Sequence, residues 1–480
     1  MTLSLILIVL ALICGFYMAW NIGANDVANA MGTSVGSGAL TLKRAIILAA
    51  VFEFAGAFFV GSHVSETVRK GIFDPMIVGD PMILALGMIA CLLAAGIWLQ
   101  VASYFGWPVS TTHSIVGSVV GFGIVVAGVH EIHWNVVGRI ASSWVISPLF
   151  AAAIAYLLFR VILKLVFYQP DPIAAAKRIT PPLAFCVLIV MIAVTSFKAF
   201  KPMWKAHDID PTSPTAVMIT AMVAIVVGMI GSLVAGFMVR KIQSEPNNAT
   251  NRFQAVYIMR SLDKAMKHMR RVRATTSSDL QEKTDKLLDQ LKILAQETEQ
   301  ATDYEQSQSV YHKVERIFVY LQILSACFVA FAHGANDVAN AIGPLSSAVQ
   351  SLSTGIVATT AAVPMWALAL GGVGIIIGLA TWGWRVMETI GRRITELTPS
   401  RGFTAEFSAA LTILFASLYK LPISTTHTLV GAVLGVGLAR GIGAINLNTI
   451  RDIIASWLIT IPAGAGLAIL IFYALRLVFM

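Results

Sequence analysis

Residues 23–30 read GANDVANA, and the same eight letters return at residues 334–341, an offset of 311 residues. A second motif follows each copy, as PVSTTH at residues 108–113 and PISTTH at residues 422–427, an offset of 314 residues. Such an identity, followed at nearly constant spacing by a second matched motif, is typical of an internal duplication. The sequence therefore contains two homologous halves.

Composition indicates the class of protein that these halves form. The chain has 480 residues, of which 57% are hydrophobic and 12% are charged, whereas ordinary globular proteins carry about 25% charged residues. This pattern predicts an integral membrane protein that crosses the bilayer many times. The net charge of +9 is spread over single residues and short clusters between apolar runs, so it does not indicate a nucleic-acid partner. The four cysteines lie inside apolar runs and form no metal or disulfide pattern.

Apolar runs of membrane-spanning length recur along the chain. We place ten spans at residues 3–22, 42–62, 81–105, 137–166, 181–200, 214–240, 316–333, 357–383, 404–420 and 449–479. Two shorter apolar stretches, 110–127 and 424–439, begin with hydroxyl residues. The sequence thus predicts an all-α polytopic membrane protein with about twelve helical segments, and the first run is interpreted as a retained helix.

A polar segment separates the two halves. Residues 241–316 hold 13 of the 34 basic and 11 of the 25 acidic residues of the chain, and their apolar residues recur at helical spacing. We expect an exposed helical insert, which its basic start at Arg240-Lys241 assigns to the cytoplasm. The predicted domains are a first membrane half at 1–240, a cytoplasmic helical loop at 241–315 and a second membrane half at 316–480.

The GANDVANA motif brings a carboxylate and two amides to the end of an apolar helix. An Asp at bilayer depth costs about 3 kcal/mol, so such a residue indicates a cavity, an ion or a partner. The opening glycine weakens the helix, and we expect the chain to unwind there and to free carbonyl oxygens for cations. The motif supplies two equivalent sets of candidate ligands: Asn25, Asp26 and Asn29, and Asn336, Asp337 and Asn340.

The P-x-S-T-T-H motif has the residues of a helix start. Proline is favoured in the first turn of a helix, and the amides and dipole of that turn attract anions. The hydroxyls at these starts are candidate anion ligands: Ser110, Thr111, Thr112, Ser424, Thr425 and Thr426. The apolar, glycine-rich segments that follow have the length of half-helices that end within the membrane. We expect His113 and His427 to orient hydroxyls or cap backbone groups rather than bind a metal.

Duplicated broken segments are typical of a transporter site at the bilayer midplane. Carboxylates beside hydroxyl-bearing helix starts fit an anion that can also donate protons, and mono- or dihydrogen phosphate meets this condition. Sulfate is an alternative, but it is fully ionised and cannot donate to an aspartate. A cation channel or metal permease would leave the hydroxyls unexplained. An enzyme acting on phosphate esters would need a nucleophile context that the STTH sequence lacks.

Two further carboxylates lie in apolar surroundings, Glu53 within VFEF and Glu406 within FTAEF. They occupy non-equivalent positions in the two halves, so each needs its own explanation. Sodium ligation or proton relay is the functional interpretation. The alternative is an internal ion pair or a residue that reaches the interface near a helix end, which applies more strongly to Glu406 because it is closer to a polar loop.

Taken together, these motifs resemble those of the inorganic phosphate transporter (PiT) family, which contains sodium- and proton-coupled carriers. The resemblance rests on both copies of GANDVANA and of P-x-S-T-T-H, on GTSVGSG at 32–38 and on GFTAE at 402–406. It covers residues 10–240 and 315–480. The polar insert carries little of the family pattern.

The resemblance implies two inverted repeats with broken half-helices, a central phosphate site and a homodimer. It implies that Asp26, Asn29, Asp337, Asn340 and the two Ser-Thr-Thr triplets surround phosphate and its coupling ions. Glu53 and Glu406 match acidic positions that the family uses for coupling, and Glu53 with GANDVANA favours sodium-coupled members. We therefore expect a non-enzymatic sodium–phosphate symporter in a bacterial inner membrane, with sodium ions as its only accessory ions. A proton-coupled phosphate or metal–phosphate carrier is the alternative.

Overall fold

A computed structural model describes the architecture over most of the chain. The described residues are 3–61, 71–199, 204, 210, 213–242, 252–275, 278–300, 304–357, 363–384, 386–387, 397–419, 421–441 and 447–480. Within these ranges the regular structure is helical, and no strand is formed beyond one isolated bridge between Phe73 and Ile132. The all-α prediction is therefore confirmed.

The helices follow the duplication of the sequence. Those of the first half are α1 (Leu3–Gly36), α2 (Leu42–Val60), α3 (Pro81–Tyr104), α4 (Thr111–Val126) and α5 (Trp134–Ile162). The first half also contains α6 (Pro172–Ala199) and α7 (Pro214–Arg240), and the polar insert contains α8 (Arg252–Thr275) and α9 (Ser278–Gln300). The second half contains α10 (Tyr304–Thr354), α11 (Met365–Trp382), α12 (Pro399–Leu418), α13 (Thr425–Ala439) and α14 (Leu447–Phe479).

Several of these helices can cross a bilayer. Among the described residues, eight are long and apolar enough to do so, as expected for a polytopic membrane protein. In contrast, α4 and α13 have 16 and 15 residues, and at 1.5 Å per residue each is about 24 Å long at most. They are shorter than the roughly 30 Å hydrocarbon core. The two segments that follow P-x-S-T-T-H are therefore short helices, as their sequence predicts.

The prediction that GANDVANA unwinds its helix is wrong, because α1 and α10 run unbroken through both copies. The motif glycines instead permit close helix crossings. A Cβ at Gly23 would collide with the backbone oxygen of Ile375 in α11, and one at Gly334 with that of Glu53 in α2. Each motif glycine thus lets a helix of one half press against a helix of the other half. Side chains, rather than freed carbonyls, are left to form the polar site.

The short helices also pack across the duplication. Gly117 of α4 faces the backbone of Ile461 in α14, and Gly431 of α13 faces the backbone of Pro148 in α5. Small residues allow membrane helices to approach this closely. Because each short helix is held by a long helix of the opposite half, the starts of α4 and α13 are both anchored in the interior of one compact unit.

The chain forms two compact units. The first comprises residues 1–159, 186–229 and 321–480, and it contains both copies of both motifs. The second comprises residues 160–185 and 230–320. In the second unit, α8 and α9 pack together as a hairpin, and Arg273 and Asp285 form a salt bridge of 2.8 Å between them. A helical insert is thus present, whereas the division at residues 240 and 315 stays a prediction.

Candidate functional site

The two P-x-S-T-T-H motifs form helix starts of the same design. Ser110 is the N-cap of α4, and its side chain accepts a 3.2 Å hydrogen bond from the amide of His113. Ser424 caps α13 in the same way, through the amide of His427 at 3.2 Å. The two following threonines of each motif lie in the first turn, where the helix dipole is positive. All of these hydroxyl residues are buried.

The two helix starts are hydrogen-bonded to each other reciprocally. The hydroxyl of Thr112 donates to the carbonyl of Ile423 at 3.0 Å, and the hydroxyl of Thr426 donates to the carbonyl of Val109 at 3.2 Å. These four residues are equivalent in pairs under the 314-residue offset. The duplicated motifs therefore meet at one point of the first unit.

The two motif aspartates lie at this meeting point and are fully buried. The hydroxyl of Thr111 donates to Oδ2 of Asp26 at 2.6 Å, and that of Thr425 donates to Oδ2 of Asp337 at 2.8 Å. The hydroxyl of Thr426 also donates to Oδ1 of Asp26, at 2.9 Å. Each aspartate thus accepts from the threonine of its own half, and Asp26 accepts from the other half as well.

The motif asparagines fall into two groups. Asn25 donates to the hydroxyl of Ser103 at 2.9 Å, and Asn336 donates to that of Ser417 at 3.2 Å. These two pairs are equivalent in the repeat. Asn340 instead donates to the hydroxyls of Thr111 and Thr112, at 3.3 and 3.2 Å. The side chain of Asn29, its counterpart, is outside the described residues.

A histidine that the sequence did not assign to the site connects Glu53 to the aspartates. Nδ1 of His333 lies 2.7 Å from Oε2 of Glu53. Its Nε2 lies 2.8 Å from Oδ2 of Asp337 and 3.9 Å from Oδ2 of Asp26. Atoms of Asp26, His333 and Asp337, which we call the aspartate cluster, are close enough to hold a metal ion together.

The position of His333 was available in the sequence. It immediately precedes the second GANDVANA and is four residues before Asp337, so an unbroken helix brings both to one face. Because α10 remains helical there, the histidine reaches the site.

Glu406 forms a separate buried centre with its own ring of donors. It accepts from Ser34 at 2.6 Å and from Ser325 at 2.5 Å, and also from Thr33. The amide of Gln322 donates to it at 3.3 Å. The hydroxyls come from α1 and α10, one helix of each half. Thr33 and Ser34 belong to the quoted GTSVGSG run, whereas the two residues of α10 carried no motif.

Several oxygens of the GANDVANA residues and of Glu53 lack a hydrogen-bond donor. They are buried side-chain oxygens: Oδ1 of Asn25, Asn336, Asn340 and Asp337, and Oε1 of Glu53. Buried polar atoms are nearly always satisfied, so a group of orphaned acceptors requires an explanation. Amide and carboxylate oxygens are the ligands that hard cations prefer. The donor set therefore fits a small metal cation.

His113 and His427 belong to a group of four aromatic rings. Their rings are 4.4 Å apart, with Trp144 3.7 Å from His113 and Trp457 3.4 Å from His427. Nδ1 of His427 lies 3.2 Å from the carbonyl of Trp144. The two rings thus pack against tryptophans, and His427 contacts a backbone carbonyl, whereas the helix N-caps are the serines Ser110 and Ser424.

A cavity of about 400 Å³ lies between α5 and α12. Its polar lining includes Arg139, Ser143, Ser147 and Thr412, and its wall includes Ile423. Ile423 also accepts a hydrogen bond from Thr112 through its carbonyl and precedes the N-cap of the second short helix. The cavity therefore adjoins the point where the duplicated motifs meet.

A bundle of bilayer-length helices around a duplicated, buried polar cluster defines an integral membrane transport protein. A family model described as the phosphate transporter family matches residues 22–468. The chain belongs to the phosphate transporter family, whose members are transporters and not enzymes. The resemblance seen in the motifs is confirmed.

Individual relatives cover nearly the whole chain. A Chlamydia pneumoniae protein, provisionally named a phosphate permease, is 47% identical over 98% of this chain and 99% of its own length. The Arabidopsis thaliana inorganic phosphate transporter 2-1, chloroplastic, is 46% identical over 96% of this chain and 70% of its own. A solved structure, the sodium-dependent phosphate transporter, is 36% identical, with a TM-score of 0.78 over 98% of this chain and 99% of its own.

Proposed function

We propose that this protein is a symporter that imports inorganic phosphate with sodium by alternating access. The observation that carries the proposal is the convergence of two hydroxyl-bearing helix starts on two buried aspartates, among acceptor oxygens without donors. Hydroxyls and helix starts suit the anion, and the orphaned acceptors suit the cation. An anion and a cation would bind here together, because an anion beside two aspartates needs a positive charge to offset their repulsion.

Phosphate would bind between the two helix starts. Its oxygens would accept from the hydroxyls of the two motifs, and a P–OH group would donate to Asp26 or Asp337. The proposed phosphate ligands are Asp26, Asn29, Ser110, Thr111, Thr112, Asp337, Asn340, Ser424, Thr425 and Thr426. The hydrogen bonds that Thr111 and Thr425 now make to the aspartates would be exchanged for bonds to the substrate.

Sodium would bind to the carboxylate and amide oxygens of the same region. The proposed sodium ligands are Asn25, Asp26, Asn29, Glu53, Asn336, Asp337, Asn340 and Glu406. Four of the five orphaned oxygens belong to residues that the two GANDVANA copies supply, which supports this assignment. The similarity to a solved sodium-dependent phosphate transporter gives independent support.

Proton coupling is the second candidate, and one contact favours it. His333 lies between Glu53 and Asp337, and an imidazole between two carboxylates can carry a proton from one to the other. In that case, protons would replace sodium as the driving ion while the phosphate ligands stayed the same.

The reciprocal bonds between the helix starts support two inverted repeats that rock around the site. A pseudo-twofold relation would give each half the same contacts, and bending of one half relative to the other would open the site to either side. We further propose a homodimer in a bacterial inner membrane.

Uptake of radiolabelled phosphate into proteoliposomes tests the proposal. Sodium and proton gradients are imposed separately, with radiolabelled sulfate as the control anion. Uptake driven by sodium, without sulfate uptake, is the expected result. Uptake driven only by protons would transfer the function to the second candidate. Equal transport of both anions would contradict the role assigned to the aspartates, since sulfate has no proton to donate.

A further inference from the structure

We propose that a basic cavity in the second unit binds the phosphate headgroup of an anionic phospholipid from the surrounding bilayer. The cavity has a volume of about 460 Å³ and lies where the end of α7 meets residues 313–320 of α10. It shares no residue with the aspartate cluster. The inference does not depend on the proposed phosphate transport.

The charged residues that line the cavity are all basic. Its lining residues are Phe237, Met238, Lys241, Ile242, Lys313, Arg316 and Tyr320. Three of them are cations, and none of these described residues is acidic. The acidic residue of this stretch, Glu315, is buried and does not line the cavity. Arginine and lysine gathered around one space are suited to a phosphate group, and the tyrosine hydroxyl adds a further donor.

Lys241 is held at the cavity by its neighbours. Its ammonium group lies 4.9 Å from the ring centre of Phe237, which is the distance of a cation–π contact. Lys241 also follows the last residue of α7, where the negative end of the helix dipole favours a cation. The cation is therefore oriented before any ligand binds.

The approach to the cavity is apolar, which favours a lipid over a soluble phosphate. On the last turns of α7, Leu233 is 74% exposed, Val234 52% and Phe237 63%. This helix is among those long and apolar enough to cross a membrane, so exposed residues of this kind face acyl chains. An apolar helix face that ends at a basic cavity matches a molecule with acyl chains and an anionic headgroup. Basic pockets at the cytoplasmic end of membrane helices are suited to such headgroups.

Lipid-dependent stability of the full-length protein tests the proposal. The detergent-solubilised protein is titrated with phosphatidylglycerol, phosphatidylcholine or inorganic phosphate, and binding is followed by thermal shift and by native mass spectrometry. The site variant is Lys241→Gln/Arg316→Gln. The matched control is Arg270→Gln/Lys283→Gln, which removes the same charge from exposed positions of α8 and α9 in the same unit.

We expect phosphatidylglycerol, and not phosphatidylcholine, to raise the melting temperature of the unaltered protein and of the control. The site variant should bind phosphatidylglycerol about tenfold to thirtyfold more weakly, because each basic residue near a membrane surface contributes about one factor of five. Equal binding by the site variant and the control would overturn the proposal. Protection by inorganic phosphate that the control keeps and the site variant loses would show a site for free phosphate in the cavity instead.

The folded state of the site variant is checked without reference to lipid. Lys241 and Arg316 are exposed, so their replacement should leave the elution volume and the melting temperature in lipid-free detergent close to those of the control. If only the lipid-dependent increase in melting temperature disappears, the change is confined to the cavity. A lower lipid-free melting temperature with an intact lipid response would assign these cations a structural role and reject the lipid site.

Discussion

The hydroxyl of Thr426 lies 2.9 Å from Oδ1 of Asp26, across a sequence separation of 400 residues. The hydroxyl of Thr111 donates to Oδ2 of the same carboxylate, so both helix starts donate to one aspartate. Asp337 accepts from its own Thr425, and its Oδ1 has no donor. The hydrogen bonds of the two halves are therefore not equivalent at the site, and the two aspartates have different surroundings despite identical motifs.

The aspartates are the first residues to test. Asp26→Asn and Asp337→Asn should each reduce sodium-driven phosphate uptake by at least about 100-fold, because a buried hydrogen bond to a charged group contributes about 1.5–3 kcal/mol and the cation also loses a ligand. Initial uptake rates in proteoliposomes measure this effect. Asp80→Asn is the control, since Asp80 caps α3 and asparagine caps a helix equally well. Unaltered uptake in both site variants would reject the site.

Replacement of the threonines should weaken phosphate binding more than sodium binding. Thr111→Val and Thr425→Val should raise the KM for phosphate about tenfold, with a smaller change in the sodium dependence, because valine preserves shape and removes the donor. Thr428→Val is the matched control, since that hydroxyl bonds only to the carbonyl of Ser424 within the same helix. A larger effect on sodium than on phosphate would count against hydroxyl contacts to the anion.

The contact between Glu53 and His333 should make their variants non-additive. Glu53→Gln and His333→Gln should each slow uptake about tenfold or more, and the double variant should be no more than about threefold slower than the worse single one. The control cycle combines His333→Gln with Glu406→Gln, whose carboxylate has other partners. There the effects on uptake rate should multiply. Multiplication in the first cycle would mean that the 2.7 Å contact has no functional role.

Replacement of Glu406 should lower the apparent affinity for sodium more than that for phosphate. Glu406→Gln removes a charge around which three hydroxyls and one amide converge, and we expect an apparent sodium affinity about tenfold lower. The KM for phosphate at saturating sodium should change by less than about threefold. Glu131→Gln, at an exposed position, is the control. An unchanged sodium dependence would leave Glu406 with a purely structural role.

The motif glycine should be required for packing. Gly334→Ala would place a methyl group against the backbone oxygen of Glu53 and should destabilise the protein by about 1–3 kcal/mol. The melting temperature in detergent should fall, and uptake should fall with it, because α2 carries Glu53 away from His333. Gly138→Ala is the control, since nothing lies within 4 Å of its added methyl. Equal melting temperatures would show that the helices can separate without cost.

Much of the architecture was predictable because its signals are local. Apolar runs of bilayer length indicated the spans, and the Ser-Thr-Thr triplets after proline indicated helix starts, which Ser110 and Ser424 cap. The glycine of GANDVANA predicts a point of unwinding, but the helix is continuous there. The role of this glycine depends on another part of the chain. Only the crossing of α10 with α2 shows that a side chain at Gly334 would collide with the backbone of Glu53.

The partners within the site depended on tertiary structure. Repetition alone revealed two equivalent halves and their candidate ligands, since a duplication is visible along the chain. It could not reveal that Thr426 serves the opposite aspartate, that His333 joins Glu53 to the cluster, or that Glu406 has a separate ring of donors. These contacts join residues 280 to 400 positions apart or lie on helix faces without a motif. The distance between residues on different helices is set by helix packing, and the spacing of those residues along the chain does not encode it.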